Sequence, residues 1–78
     1  MNNTNETVQL DVRGSYCPEP VMLLHKKIRE IASGEQLWVL ATDPSTERDI
    51  TKFCNFLGHA LLEQKQENDE FHFLIRKK

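Results

Sequence analysis

Apolar and polar positions alternate in two ways along this chain, and the two periods divide it into six elements. Val8, Leu10 and Val12 recur at every second residue and predict a first strand. From Val21 the period changes. Val21, Leu24, Ile28, Ile31 and Ala32 share one face at helical spacing, which predicts a helix from Pro18 to about Ala32 stopped by Gly34. Gln36 to Ala41 reads as a second strand with apolar residues on both faces, Leu37, Val39 and Ala41 on one and Trp38 and Leu40 on the other. Asp43 or Ser45, with Pro44 at the boundary, can cap a second helix. That helix carries Ile50, Phe53, Cys54 and Leu57 on one face, with Phe56 at its margin, and ends at Gly58. Strands at about Ala60–Gln66 and Phe71–Lys77 follow, joined by the polar turn Glu67–Glu70 as an antiparallel hairpin.

The order is therefore βαβαββ. Two right-handed strand–helix–strand crossovers place both helices on one side of the sheet. The expected fold is a two-layer α/β (α+β) sandwich with a mixed four-stranded sheet, strand four antiparallel to the others. Phe71, Phe73 and Ile75 should face the helices, and Cys54 should be an inert thiol on the buried stripe of the second helix.

The handover from the first strand to the first helix is Gly14-Ser15-Tyr16-Cys17-Pro18-Glu19-Pro20. Gly14 gives the loop backbone freedom. With Cys17 as N-cap, Pro18 and Pro20 occupy positions whose N–H groups have no partner inside a helix, so they stiffen the first turn at no hydrogen-bond cost. The free Glu19 N–H and the positive end of the helix dipole would then point at the thiol. Its carboxylate opposes thiolate formation, and Arg13 is placed to assist it. The expectation is an exposed, mildly activated thiol. Against this stands the ordinary alternative, in which Cys17 is a small apolar residue or a simple cap.

Met22 and Leu23 fall off the apolar face, among Glu19, Lys26, Lys27 and Arg29. Beside a reactive thiol, with Phe56, they form a candidate docking patch: apolar anchors rimmed by charge.

Composition narrows the function classes. The chain has 78 residues and a net charge of −2, so direct nucleic-acid binding is disfavoured. No apolar run is long enough to span a membrane and the N-terminus lacks signal-peptide character, which makes the cytoplasm the expected location. Two cysteines with no C-x-x-C, and the scattered His25, His59 and His72, give no metal-ligand spacing.

The run Leu10-Asp11-x-x-Gly14-x-x-Cys17-Pro18-x-Pro20 resembles the signature of the TusA/SirA family of small sulfur-carrier proteins. The likeness continues through Asp43-Pro44, Arg48-Asp49-Ile50 and Phe53-Cys54 to Leu74-Ile75-Arg76-Lys77. It implies a single TusA-like domain over 8–78 and the strand order 1-2-4-3, preceded by residues 1–7, whose polar character predicts a flexible tail. A monomer without a cofactor is expected, although the apolar open face of the second strand also allows self-association. By this resemblance Cys17 accepts sulfane sulfur as a persulfide from a cysteine desulfurase and relays it to a downstream sulfur-relay protein, with Pro18 and Pro20 presenting the thiol. The best-described route of the family ends in 2-thiouridine in tRNA; other members serve molybdenum-cofactor or dissimilatory sulfur routes. The chain would then be an enzyme of the sulfurtransferase type, a persulfide relay without a self-contained multi-turnover active site. Two other readings stand beside it, a non-catalytic interaction or regulatory module and a redox-sensing thiol.

Overall fold

A computed structural model of the chain describes residues 7–78. The flexible tail expected over residues 1–7 lies, but for Thr7, outside the described residues. Six elements follow in the expected order: β1 (Val8–Asp11), α1 (Glu19–Glu30), β2 (Gln36–Ala41), α2 (Ser45–Leu57), β3 (Ala60–Glu67) and β4 (Glu70–Arg76). They form one four-stranded sheet in the order β1-β2-β4-β3. β1 runs parallel to β2, and β4 is antiparallel to both β2 and β3. This is the two-layer α+β sandwich expected from the pattern, with the strand order that the family resemblance implied.

The core lies between the helices and one alternation of the sheet. Leu37, Val39 and Ala41 from β2, and Phe71, Phe73 and Ile75 from β4, are buried against Leu24 and Ile28 of α1 and Ile50, Phe53 and Cys54 of α2. Each fully buried aliphatic or aromatic side chain contributes about 1.5–3 kcal/mol by leaving water. Trp38 and Leu40 take the opposite face of β2 and are half-buried, opposite Leu74 and His72 of β4.

Local chemistry sets the ends of the elements. Gly58 closes α2 in the left-handed region at φ +82°, its N–H donating to the Cys54 carbonyl at 2.9 Å. Asn68 and Asp69 connect β3 to β4 with φ of 50° and 66°, a two-residue turn of the kind that matches the twist of a hairpin. The strands thus extend further into the polar segment than expected. No described helix is long and apolar enough to cross a membrane.

Four sequence expectations are corrected here. α1 stops at Glu30, because Ile31 turns to an extended conformation, and Ala32 is exposed rather than core. Leu57 is 37% exposed rather than core, because it is the last residue of α2, where the chain leaves the helix at Gly58. The boundary residue of α1 is Pro18, with Glu19 the first helical residue, so Cys17 lies one position outside the cap. Leu23 is half-buried and packs on the core, because α1 leans over edge strand β1.

Candidate functional site

Parallel pairing of β1 and β2 brings the carboxyl ends of both strands to the same side of the sheet. The β1–α1 loop and the β2–α2 loop therefore lie next to each other. The Val12 N–H donates to the Leu40 carbonyl at 2.8 Å, continuing the ladder beyond β1. Gly14 follows at φ +86°, a conformation that L side chains rarely adopt, and its N–H donates to Thr42 Oγ1 at 2.9 Å. The loop then reaches Cys17, which is exposed.

The Cys17 N–H donates to Asp43 Oδ2 at 2.7 Å, while Asp43 Oδ1 accepts the Ser45 N–H at 3.0 Å. One buried carboxylate thus spans the thiol loop and the start of α2. The Asp43 carbonyl also accepts the Thr46 hydroxyl at 2.6 Å. The boundary residue of α2 is Pro44 rather than Asp43 or Ser45, and Asp43, one position before it, takes the amide of Ser45, the first helical residue; its bond to the Cys17 amide is what the sequence reading missed. The two residues are 26 positions apart, and only the pairing of β1 with β2 reveals the contact.

The electrostatics differ from the expected activation. The Asp49 carboxylate, which accepts from the thiol, pushes the Cys17 thiol above its ordinary value. Partial desolvation and the charges of Asp49 and Asp43 act in the same direction, and the Ser45 hydroxyl acts against them. The two groups expected to activate the thiol, the Glu19 N–H and Arg13, are engaged elsewhere. The Glu19 N–H donates to the Tyr16 carbonyl at 2.9 Å. Arg13 is committed to Asp11 at 2.8 Å and Glu70 at 3.1 Å, and holds the Asp11 carboxyl down at about 2. Asp43 itself is held below the usual carboxylate range by the Ser45 amide and then the Cys17 amide, against the cost of its burial. The Ser45 hydroxyl is close to both Cys17 and Asp43, yet its buried oxygen completes a hydrogen bond with neither.

Pro18, Glu19 and Pro20 follow the thiol directly and form the entry to α1. The Cys17–Pro18 peptide bond is cis. Pro20 is buried, Pro18 and Glu19 are exposed, and the Pro18 carbonyl accepts the first helical N–H, from Met22, at 3.1 Å.

The candidate docking residues do not form one patch. Met22 is 61% exposed and points away from the core. Phe56 is 89% exposed and lines a groove of about 770 Å³ between α1 and α2, with Val21, His25, Phe53 and Leu57, that ends at Asp49 beside the thiol. Leu23 and Lys26 belong to the other flank of α1, in a small recess with Leu10, Lys27 and Glu30. Arg29 is exposed and lines neither recess.

Cys54, by contrast, is buried in α2, and burial alone pushes its thiol up to about 11. Among the described residues, no three His, Cys, Asp or Glu side chains gather to hold a metal ion.

Comparison with known proteins agrees with this geometry. Residues 8–77 match the family described as Sulfurtransferase TusA. Similar curated proteins include the sulfur carrier protein TusA of Pseudomonas putida, 59% identical over 69 residues, which covers 88% of this chain and 86% of the relative. The sulfur carrier protein TusA of Pseudomonas aeruginosa is also 59% identical, over 88% of this chain and 87% of its own length. Both the matched span, from β1 to the end of β4, and the level of identity lead to one conclusion: the chain belongs to the TusA family.

Proposed function

We propose that this protein is a sulfur carrier that holds sulfane sulfur as a persulfide on Cys17. The observation that carries the reading is the exposed thiol, fixed by its amide at the strand-to-helix handover of a TusA-family chain. A cysteine desulfurase is the donor and a downstream sulfur-relay protein the acceptor, with 2-thiouridine in tRNA as the end point.

The step conserves atoms and electrons. Cys17 loses its proton, and its thiolate attacks the outer sulfur of the donor persulfide. The donor S–S bond breaks as the new one forms, and the donor leaves as a thiolate. Nothing is oxidised overall. Unloading is the same displacement with Cys17 as the leaving thiolate. In both directions Cys17 sulfur bears negative charge, so Asp49 and Asp43 oppose its thiolate in the free protein. A cationic partner surface that neutralises those carboxylates would release the thiol for reaction on docking. In this reading the chain shuttles sulfur stoichiometrically, which is the sense in which it is a sulfurtransferase. Met22 and the Phe56 groove supply apolar anchors on the helical layer, with Lys26 and Arg29 as outlying charges.

Incubation with a cysteine desulfurase and L-cysteine, followed by intact-mass measurement, tests the proposal. One added sulfur per chain, removed by reductant and absent in Cys17→Ser, is the expected result. Failure to load from several competent desulfurases would overturn it in favour of an interaction module.

A further inference from the structure

The two loops at the carboxyl end of the parallel strand pair are joined by side chains of one and bonded amides of the other. Thr42 takes the Gly14 N–H and Asp43 takes the Cys17 N–H, at 2.9 and 2.7 Å. The second bond differs in kind from the first, because its acceptor is ionised and only 8% exposed. Charge-assisted bonds to a buried carboxylate are shorter and stronger than neutral ones. Asp43 uses both of its oxygens, one for the Cys17 amide of the other loop and one for the Ser45 amide of its own segment, so neither bond can be given up without leaving a backbone N–H unpaired.

We propose that Asp43 is the positioning residue of the Cys17 site: its carboxylate locks the Cys17 backbone to the first turn of α2 and so fixes the place from which the sulfur atom meets a partner. The inference rests on the sulfur-carrier reading and adds to it a residue that touches no sulfur. Displacement at sulfur requires the incoming sulfur to line up with the S–S bond that breaks, and misplacement by about an ångström can cost up to two orders of magnitude in rate. An exposed loop without such a tie would enter each partner in many orientations. Asp43 removes that freedom beforehand. Its negative charge is at the same time unfavourable to the thiolate, so its geometric and electrostatic effects on Cys17 oppose each other.

That conflict makes the inference testable, because positioning and charge act on different readouts. Asp43→Asn keeps the size of the side chain but turns an amide NH2 towards one of the two N–H groups and removes the charge. Two charged groups act on the thiol's pH profile, Asp49 and Asp43, and Arg48 bears on both of them, pairing with Asp49 at 3.1 Å. With Asp43 neutral, the pH midpoint for alkylation of Cys17 by iodoacetamide should move down, and the small reagent should react faster at neutral pH. Loading from a cysteine desulfurase should instead slow, roughly tenfold, because it needs orientation. Thr46→Val is the structural control. It removes the hydroxyl bonded to the Asp43 carbonyl at the same helix start without touching the Cys17 amide, and should lower the melting temperature while leaving loading within about twofold of the wild type.

Faster alkylation together with slower loading in Asp43→Asn supports the inference. Loading by Asp43→Asn at the wild-type rate overturns it, as does equal slowing in Thr46→Val. A wild-type chain that takes up no sulfur brings down the carrier reading itself, and this inference with it.

Discussion

Cys54 is 3% exposed and its thiol is pushed up by burial alone, whereas Cys17 is exposed and is pushed the same way chiefly by the Asp49 carboxylate. The direction is shared and the causes are not. Burial is a property of the packed core, and no partner can relieve it without unfolding α2. A carboxylate at the surface acts through a field that counterions screen and a cationic partner cancels. One thiol is silent permanently and the other conditionally. A pKa direction therefore says little about reactivity until its cause is known.

The most severe way to break this comparison is to exchange the roles of the two residues. Cys17→Ser should abolish persulfide formation measured by intact mass, and Cys54→Ser should load like the wild type. The cost of the second substitution appears in urea unfolding, as about 1–3 kcal/mol for a hydroxyl buried without a partner. Sulfur found on Cys54 would show that the core thiol is accessible and the comparison false.

A second contrast uses the two phenylalanines of α2, three residues apart, of which Phe53 is buried and Phe56 exposed. Phe53→Ala should lose about 3–5 kcal/mol of stability, because Phe53 is buried against His25 and His59. Phe56→Ala should change stability by no more than about 0.5 kcal/mol. In titration calorimetry against the sulfur donor, however, the same variant should weaken binding by about 2 kcal/mol if Phe56 is an anchor. Equal affinity with and without Phe56 would place the docking surface elsewhere.

Salt separates the causes of the two shifts with a smaller effect. Raising ionic strength from 0.01 to 1 M shortens the screening length from about 30 to 3 Å. Alkylation of Cys17 at fixed pH should then accelerate as the Asp49 and Asp43 fields weaken. Cys54 should stay unreactive at every salt concentration that leaves the fold intact.

The smallest expected effect concerns His59, which is held below its ordinary value by burial and by the charges of Lys77 and Lys78. The folded state favours neutral imidazole, so the unfolded chain binds the proton more readily. The stability this contributes is present above the unfolded value of about 6.5 and is lost as pH falls through that value towards the folded one. Melting temperature should decline slightly between pH 7.5 and 5.5, and His59→Gln should flatten that decline.

Elements and site were legible to different depths. The alternation in β2 and β4 and the helical stripe of α2 carried the fold directly, because each is governed by a local period that the folded layers preserve. Cys17 was legible from the prolines that follow it. Edge positions were less so: Leu23 gains cover from β1, while Ala32 and Leu57 lose it at the ends of their helices, and none of this is encoded within one helix. The thiol's electrostatics were read in the wrong direction for the same reason. Local sequence offered Arg13 and the start of α1, but Arg13 is held by Asp11 and Glu70, and the groups that act on Cys17 come from α2 and the residues before it. Residues distant in sequence and adjacent across a strand pair leave no trace in periodicity.

The contact between Cys17 and Asp43 exists only while β1 is paired, and β1 is a four-residue strand at the edge of the sheet, hydrogen-bonded on one side. Short edge elements open more often than the core on which they rest. Each opening would separate the thiol from Asp43 and Asp49 and return it, for that interval, to the behaviour of cysteine in a peptide. The rate at which Cys17 meets a small electrophile thus contains a record of how often β1 detaches.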